Sequence, residues 1–423
     1  MTTGTTSRAK RGRRATLTLI GAGLAGASLI AASDGSSSAG STAPPTSTES
    51  TASTAALTQD TTLVTAPESE RVDLGVPTFS NPTAITNPRF PIAELDQVIQ
   101  LGEEAGAALR FEVTLLPETR VIEWNGQQVE TLVSQFIAYE NGRVLEVAVD
   151  FFAQADDGAV WYFGEDVANY VDGAIDNTDG TWLAGRDGPP GMIMPAEPQV
   201  GDVYRPENIP GFVFEEVTVI AVDQTVEGPT GLVEGAVVVQ ELLMDGLLED
   251  KTFAPGYGEF FFAVEAEQEV VHMALALPTD AATGALPAEL TMLSSGAEGI
   301  AVAVAAQDWE TVSATLETMA TAWETYQAGD VPPLLEAQMS DARDVLATTV
   351  DAQDAPATSQ AAIDVDHATL DAQLQFRSPA DVDQDRLELW AWQLEVDEAA
   401  GDATLMAGDQ AIIEAIRQRI GQN

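Results

Sequence analysis

The stretch FEVTLLPETRVI, residues 111–122, and the stretch EEVTVIAVDQTV, residues 215–226, are two versions of one pattern. Apolar and polar residues alternate around a shared Val-Thr pair, the period of a half-buried strand. The correspondence continues outward along the chain. Val129-Glu130 matches Val233-Glu234, Asn141-Gly142 matches Asp245-Gly246, and Phe152-Ala153 matches Phe253-Ala254. Trp161-Tyr162-Phe163 then falls against Phe260-Phe261-Phe262. The offset shrinks from 104 to 101 residues, as small turn deletions produce. Each copy reads as a four-strand meander with an aromatic last strand. Asn-Gly and Asp-Gly pairs at 125, 141, 157 and 245 sit between apolar runs and favour type I′ hairpins, whose two central residues need positive φ. Two meanders predict an antiparallel β domain over residues 87–285, either a sandwich or a partly open barrel.

Beyond Leu286 the period changes. Trp309, Val312, Leu316, Met319, Trp323 and Tyr326 recur at spacings of three and four, the apolar seam of one helix. Val331-Pro332-Pro333 opens a second helix, carrying Leu335, Met339 and Leu346. A third covers about 357–376, with Ile363, His367, Leu370 and Leu374 on one face. Ser378-Pro379 opens a fourth and Gly401-Asp402 precedes a fifth. A shorter helix over about 297–307 joins the two regions. The expected class is therefore α+β: an antiparallel β domain followed by a C-terminal antiparallel helical bundle at 286–423.

The other end of the chain addresses location. Arg8, Lys10, Arg11, Arg13 and Arg14 precede an uncharged stretch from Ala15 to Ala32 that ends in small residues. A basic, then apolar, then small-residue order is the pattern of an export signal, here residues 1–33. It implies a secreted or extracytoplasmic envelope protein that meets a membrane only through this segment, if uncleaved. Leu29-Ile30-Ala31-Ala32 resembles the lipobox of bacterial lipoproteins, with Ala32 where the lipidated Cys would stand. Residues 34–86 read as a disordered stalk, its first half rich in Ser, Thr and Pro.

Composition narrows the chemistry. The 423 residues include 67 acidic and 18 basic, a net charge of -49, and no cysteine. Removing the signal leaves 13 basic residues and a net of -54, with Lys251 the only remaining lysine. Such a surface repels phosphate, so nucleic acid is excluded as a partner. The acidity fits either a solvated surface or adaptation to high salt. Without thiols there is no disulfide framework, thiolate zinc site or iron–sulfur cluster.

Several short runs resemble those of an uncharacterised group of secreted, lipoprotein-like bacterial β-domain proteins. They are Asn87-Pro88-Arg89-Phe90-Pro91-Ile92, the strand from Ala159 to Asp166 with Trp161-Tyr162-Phe163-Gly164-Glu165, and the run from Gly188 to Pro195. Gly201-Asp202-Val203-Tyr204-Arg205 and Phe253-Ala254-Pro255-Gly256-Tyr257-Gly258 complete the set, over about residues 87–262. The resemblance implies a β fold and an exported location. It implies no catalytic residues.

The residues offer few constellations for chemistry. His367 lies on an apolar helix face and Met339 on another, and His–Met pairs ligate haem in helical bundles. A satisfied core histidine is the preferred reading. Asp172, Asp176 and Asp179 share a turn-rich segment with Asn177, an oxygen cluster of the kind calcium takes, although its spacing is not that of an EF-hand. His272 sits in a strand, opposite in direction to Val271 and Met273. Trp161 and Trp182 are candidates to line an apolar concavity. Two carboxylates suffice for glycoside hydrolysis, but residue type carries no information against so acidic a background. The reading is a secreted, non-enzymatic binding or scaffold protein without cofactor, its envelope or small-molecule ligand unidentified. The alternative is a ligand-, metal- or haem-carrying protein that uses the helical bundle.

Overall fold

The computed structural model describes residues 63–421. The expected export signal and residues 34–62 of the expected stalk lie outside the described residues.

Strands β1 (Gln97–Glu104), β2 (Ala107–Trp124), β3 (Gln127–Glu140), β4 (Arg143–Gln154) and β5 (Val160–Val171) form one antiparallel meander. Three short strands, β6 (Ala174–Asn177), β7 (Trp182–Leu183) and β8 (Gly191–Met194), each pair with β5. Two more, β9 (Val203–Tyr204) and β10 (Asn208–Ile209), pair with the long strand β11 (Val213–Gly228). A second meander continues through β12 (Gly231–Leu243), β13 (Leu248–Ala254), β14 (Gly258–Val264) and β15 (Glu269–Leu277). β15 then pairs antiparallel with β1, so the two meanders join into one sheet with that pair at its centre.

The repeat seen in sequence corresponds to β2–β5 and β11–β14. Its register departs at the last strand, where Phe152 faces Tyr162 but Phe253 faces Glu259. Asn125-Gly126 and Asn141-Gly142 adopt paired positive φ, as type I′ hairpins require. At 157–158 and 245–246 only the glycine does, so the two Asp-Gly turns are of another kind.

The sheet curls without closing. Phe151, Phe163 and Trp182 from one end share a core with Val217, Val219, Val237 and Val239 from the other. The resembling runs meet across this seam: Asn87 donates through Nδ2 to the Pro195 carbonyl at 3.0 Å, and the Gly256 amide donates to the Pro88 carbonyl at 2.8 Å. Their prolines and glycines thus do structural work, holding the inner face of an open barrel.

The end of the expected stalk, residues 63–86, is part of the fold instead. Residues 63–86 strap across the sheet: the Val72 amide donates to the Val203 carbonyl at 2.8 Å, Phe79 stacks edge-on against Phe163, and Ile85 is buried. Low hydropathy concealed this, because the strap is anchored by a few apolar side chains and by polar bonds such as Thr78 to Asp156 at 2.8 Å.

Six helices follow: α1 (Ala288–Ala305), α2 (Trp309–Tyr326), α3 (Pro333–Ala352), α4 (Ala355–Gln373), α5 (Pro379–Ala400) and α6 (Ala403–Arg419). Asp308 caps α2, accepting from the Thr311 amide at 3.2 Å; Ser378 and Asp402 cap α5 and α6 in the same way. The joining helix expected at 297–307 is the second half of α1, which starts nine residues earlier. Gly296, inside α1, marks close packing, because an added Cβ would press into the Met319 side chain of α2.

The helices enclose a core of their own and also pack on the sheet. Leu335, Ile363 and Leu370 pack on Ile99, Leu275 and Leu277, while Ile412 and Ile416 pack on Ile137 and Tyr139. At the Asp172-Gly173 turn the contact is backbone to backbone: Gly173 has φ +73, and a Cβ there would overlap the Thr404 carbonyl of α6. Gly173→Ala is expected to cost about 2 kcal/mol or more, combining a strained φ with forced separation of α6. A denaturant midpoint equal to that of the parent chain would show that this approach is not needed.

Candidate functional site

His367 of α4 points to the sheet, packing edge-on to Trp390 at 5.3 Å. Burial, with the nearby Arg110 guanidinium, depresses its pKa to about 4. It borders an ion-pair network that ties the two layers together. Asp371 binds Arg110 and Arg386 (2.8 Å to the latter), Asp383 binds Arg386 at 2.9 Å and Arg419 at 2.7 Å, and Glu112 binds Arg419 at 2.6 Å. Three guanidinium groups balance three carboxylates there, almost wholly out of water. Met339 lies elsewhere, in the core that α3 shares with Leu290, Met319 and Val365. The two are thus packed in different cores, His367 among sheet-facing charges and Met339 among aliphatic groups.

The Asp172, Asp176 and Asp179 segment is held by its own bonds. Asn177 Nδ2 donates to Asp176 at 3.0 Å, its Oδ1 accepts from the Asp179 amide at 2.9 Å, and Asp172 occupies a positive-φ turn position. Among the described residues, no group of three or more His, Cys, Asp or Glu side chains is arranged to hold a metal ion. His272 is exposed against Phe261, its rings 4.8 Å apart.

The barrel interior is filled by its own side chains. Trp182 is fully buried and its Nε1 donates to Glu207 at 2.6 Å; Trp161 is core as well. The cavity beside Phe90, Val98 and Gln100 is only about 30 Å³, room for a water or two. Unexpectedly, carboxyl groups supply much of the filling. Glu146, Asp150, Glu165, Glu207, Glu215 and Glu249 are all buried. Burial raises Glu146 to about 8 and Asp150 to about 7. Burial and then neighbouring carboxylates hold Glu165 and Glu215 well above the usual range. Lys251 stands among them at 2.8 Å from Glu241, 3.2 Å from Glu249 and 3.5 Å from Glu259. One ammonium cannot balance three carboxylates, and burial keeps Glu249 near 8 in spite of it. The raised carboxyls among them bear on stability.

An open site lies on the helical layer. α1 and α5 each pack on α4, leaving a groove of about 1010 Å³ between them. Twelve of the 19 residues of α4 are buried, which makes it the central helix and the floor. Leu370 and Asp366 line that floor, Val302 and Ser294 the α1 wall, and Leu389, Trp392 and Val396 the α5 wall. The volume is at the upper end of small-molecule sites, and most of the lining is apolar.

Asp366 is the exceptional member. Only 7% exposed, it leaves Oδ1 without a hydrogen-bond partner. Ser294 hydrogen-bonds to its carboxylate and itself accepts from Gln373 Nε2 at 3.1 Å. Burial first, then Glu298 and Asp385 nearby, raises Asp366 to about 6. Nothing in the sequence distinguishes Asp366 from the other 66 acidic residues. The one available signal is an acid in a helix whose two flanking faces are both apolar.

No family model, curated protein or solved structure matches the chain.

Proposed function

We propose that the protein is an exported, non-enzymatic binding protein whose ligand site is the groove between α1 and α5. The observation that carries this reading is a large, mostly apolar groove with a buried, incompletely bonded Asp366 on its floor. A carboxylate kept out of water costs stability unless something supplies its missing bond, so its retention points to an occupant. Export is supported by the basic, apolar and small-residue order of residues 1–33. The resemblance to secreted bacterial β-domain proteins belongs to the same reading, with the β domain as the rigid platform that holds the helices. A carrier role for the helical layer is retained from the sequence, with the site moved from His367 and Met339 to the groove. The carboxyls with the most strongly raised pKa lie inside the filled barrel, which favours binding over hydrolysis.

The groove predicts saturable binding of an uncharged apolar dye such as Nile red. Ala301 is half-buried on the α1 wall, so Ala301→Trp fills the groove without touching the sheet. About tenfold weaker dye binding is expected, the equivalent of losing one well-buried apolar contact surface. Unchanged binding by a folded Ala301→Trp variant would remove the groove as the site.

A further inference from the structure

We propose that the groove selects a cationic amphiphile, with a protonated amine at Asp366 Oδ1 and an alkyl tail laid between the C-terminal halves of α1 and α5. The inference rests on the groove being the ligand site and adds the chemistry of what it takes.

Charge is the first argument. Glu298 reaches the groove from α1, Asp385, Glu388 and Glu395 from α5, and Asp366 from the floor. Arg377 is the one basic residue lining it, and its guanidinium is engaged by Asp385 at 2.5 Å and by Gln373 at 2.6 Å. The site therefore has a surplus of carboxylates and no free cation of its own, which repels fatty acids and phosphorylated lipids and attracts an ammonium group. The missing partner is the second argument. Ser294 already bonds the Asp366 carboxylate, and Oδ1 remains open. A neutral donor would satisfy it, but only a cation also offsets the field of Glu298 and Asp385 that bears on it.

Shape supplies the tail. From Asp366 the floor runs back along α4 to Pro356 and Ala355, about 16 Å at the helical rise of 1.5 Å per residue. Val302, Ala305, Val396 and Ala400 flank that end. These are small or aliphatic side chains, the surface that an alkyl tail would contact. Toward the other end Gln373 and Arg377 make the floor polar, so the ligand has a single direction.

The test compares two amphiphiles with the same tail, dodecylammonium and dodecyl maltoside, each displacing Nile red below its micelle-forming concentration. The parent protein is expected to bind dodecylammonium about tenfold or more tightly, the value of one charge-assisted hydrogen bond. Asp366→Asn keeps the side-chain shape and is expected to bring the two affinities together. Glu298→Gln, at an exposed position where folding is not at stake, is expected to reduce the preference by a smaller factor. General attraction of a cation to so acidic a surface would hardly respond to one neutralised side chain, so a preference that survives both substitutions overturns the proposal. Equal binding of the two amphiphiles by the parent, still sensitive to Ala301→Trp, overturns the cation while leaving the groove. Failure of both amphiphiles and the dye to bind removes the groove itself.

Discussion

Moving the protein from about pH 5 to about pH 9 is expected to weaken its fold steadily, because the carboxyls inside the barrel are held protonated. Glu146 titrates at about 8 and Asp150 at about 7 in the folded chain, and burial is the main cause for both. Their ordinary values are 4.5 and 3.8. Between those values and the raised ones, the unfolded chain has released protons that the folded chain still holds. Stability therefore falls as pH rises, starting near 4 and ending once the folded groups ionise near 8. Glu146 alone is worth on the order of 5 kcal/mol across that window, at about 1.4 kcal/mol per unit. His367, depressed to about 4 by burial, opposes part of this trend between about pH 4 and 6.5, and in stronger acid Asp371 and Glu112, held low by Arg110 and Arg419 against the cost of burial, are protonated and stability falls again. Glu146→Gln, which is neutral at every pH, is expected to stabilise the protein at about pH 8 and to change little near pH 4.5. Denaturant midpoints at several pH values measure both effects. A midpoint that climbs between pH 5 and 9 would mean that the interior carboxyls are ionised and solvated.

Lys251→Met is expected to be the most damaging single substitution in the sheet, at about 3–5 kcal/mol near pH 8, the usual cost of removing one partner from a buried ion pair. The ammonium is buried within 2.8 to 3.5 Å of Glu241, Glu249 and Glu259, and among the described residues no other lysine or arginine is paired with these three. Without it, all three carboxyls must be neutral in a dry interior. Protonation is cheap in acid and expensive at pH 8, so the loss should shrink toward about pH 5. Thermal or chemical melts of the variant at the two pH values give the comparison. An equal loss at both would assign the role of Lys251 to packing of its methylene stem rather than to charge.

The architecture was largely legible in alternation and period. The Val-Thr strands, the Asn-Gly turns and the seam from Trp309 to Tyr326 led to a β domain followed by helices, and the structure has both. What stayed hidden depends on contacts distant in sequence. The strap at 63–86 carries too little apolar surface to stand out, and it is ordered by partners such as Val203 and Asp156. The helices looked independent because each has its own seam, yet Ile363 and Leu370 use theirs on the sheet. The acidic composition suggested a solvated shell, whereas Glu146, Glu165 and Glu215 point inward. Strand alternation would have placed those side chains on the inner face, but a carboxylate at an inward position reads as surface until the sheet is seen to curl. In sequence Asp366 is masked by His367, its neighbour and the rarer residue. The histidine proved to border a structural ion-pair network and the aspartate to face the groove.

The binding account is tested most directly by covalent mapping of the occupied site. A dodecylammonium analogue bearing a photoreactive diazirine near the end of its tail would be bound to the full chain, irradiated, and the labelled residues identified by mass spectrometry. Labels should fall on the C-terminal halves of α1 and α5, around Val302, Ala305, Val396 and Ala400, and should vanish in Ala301→Trp. Labels confined to the barrel, or spread without preference over the acidic surface in both proteins, would contradict it.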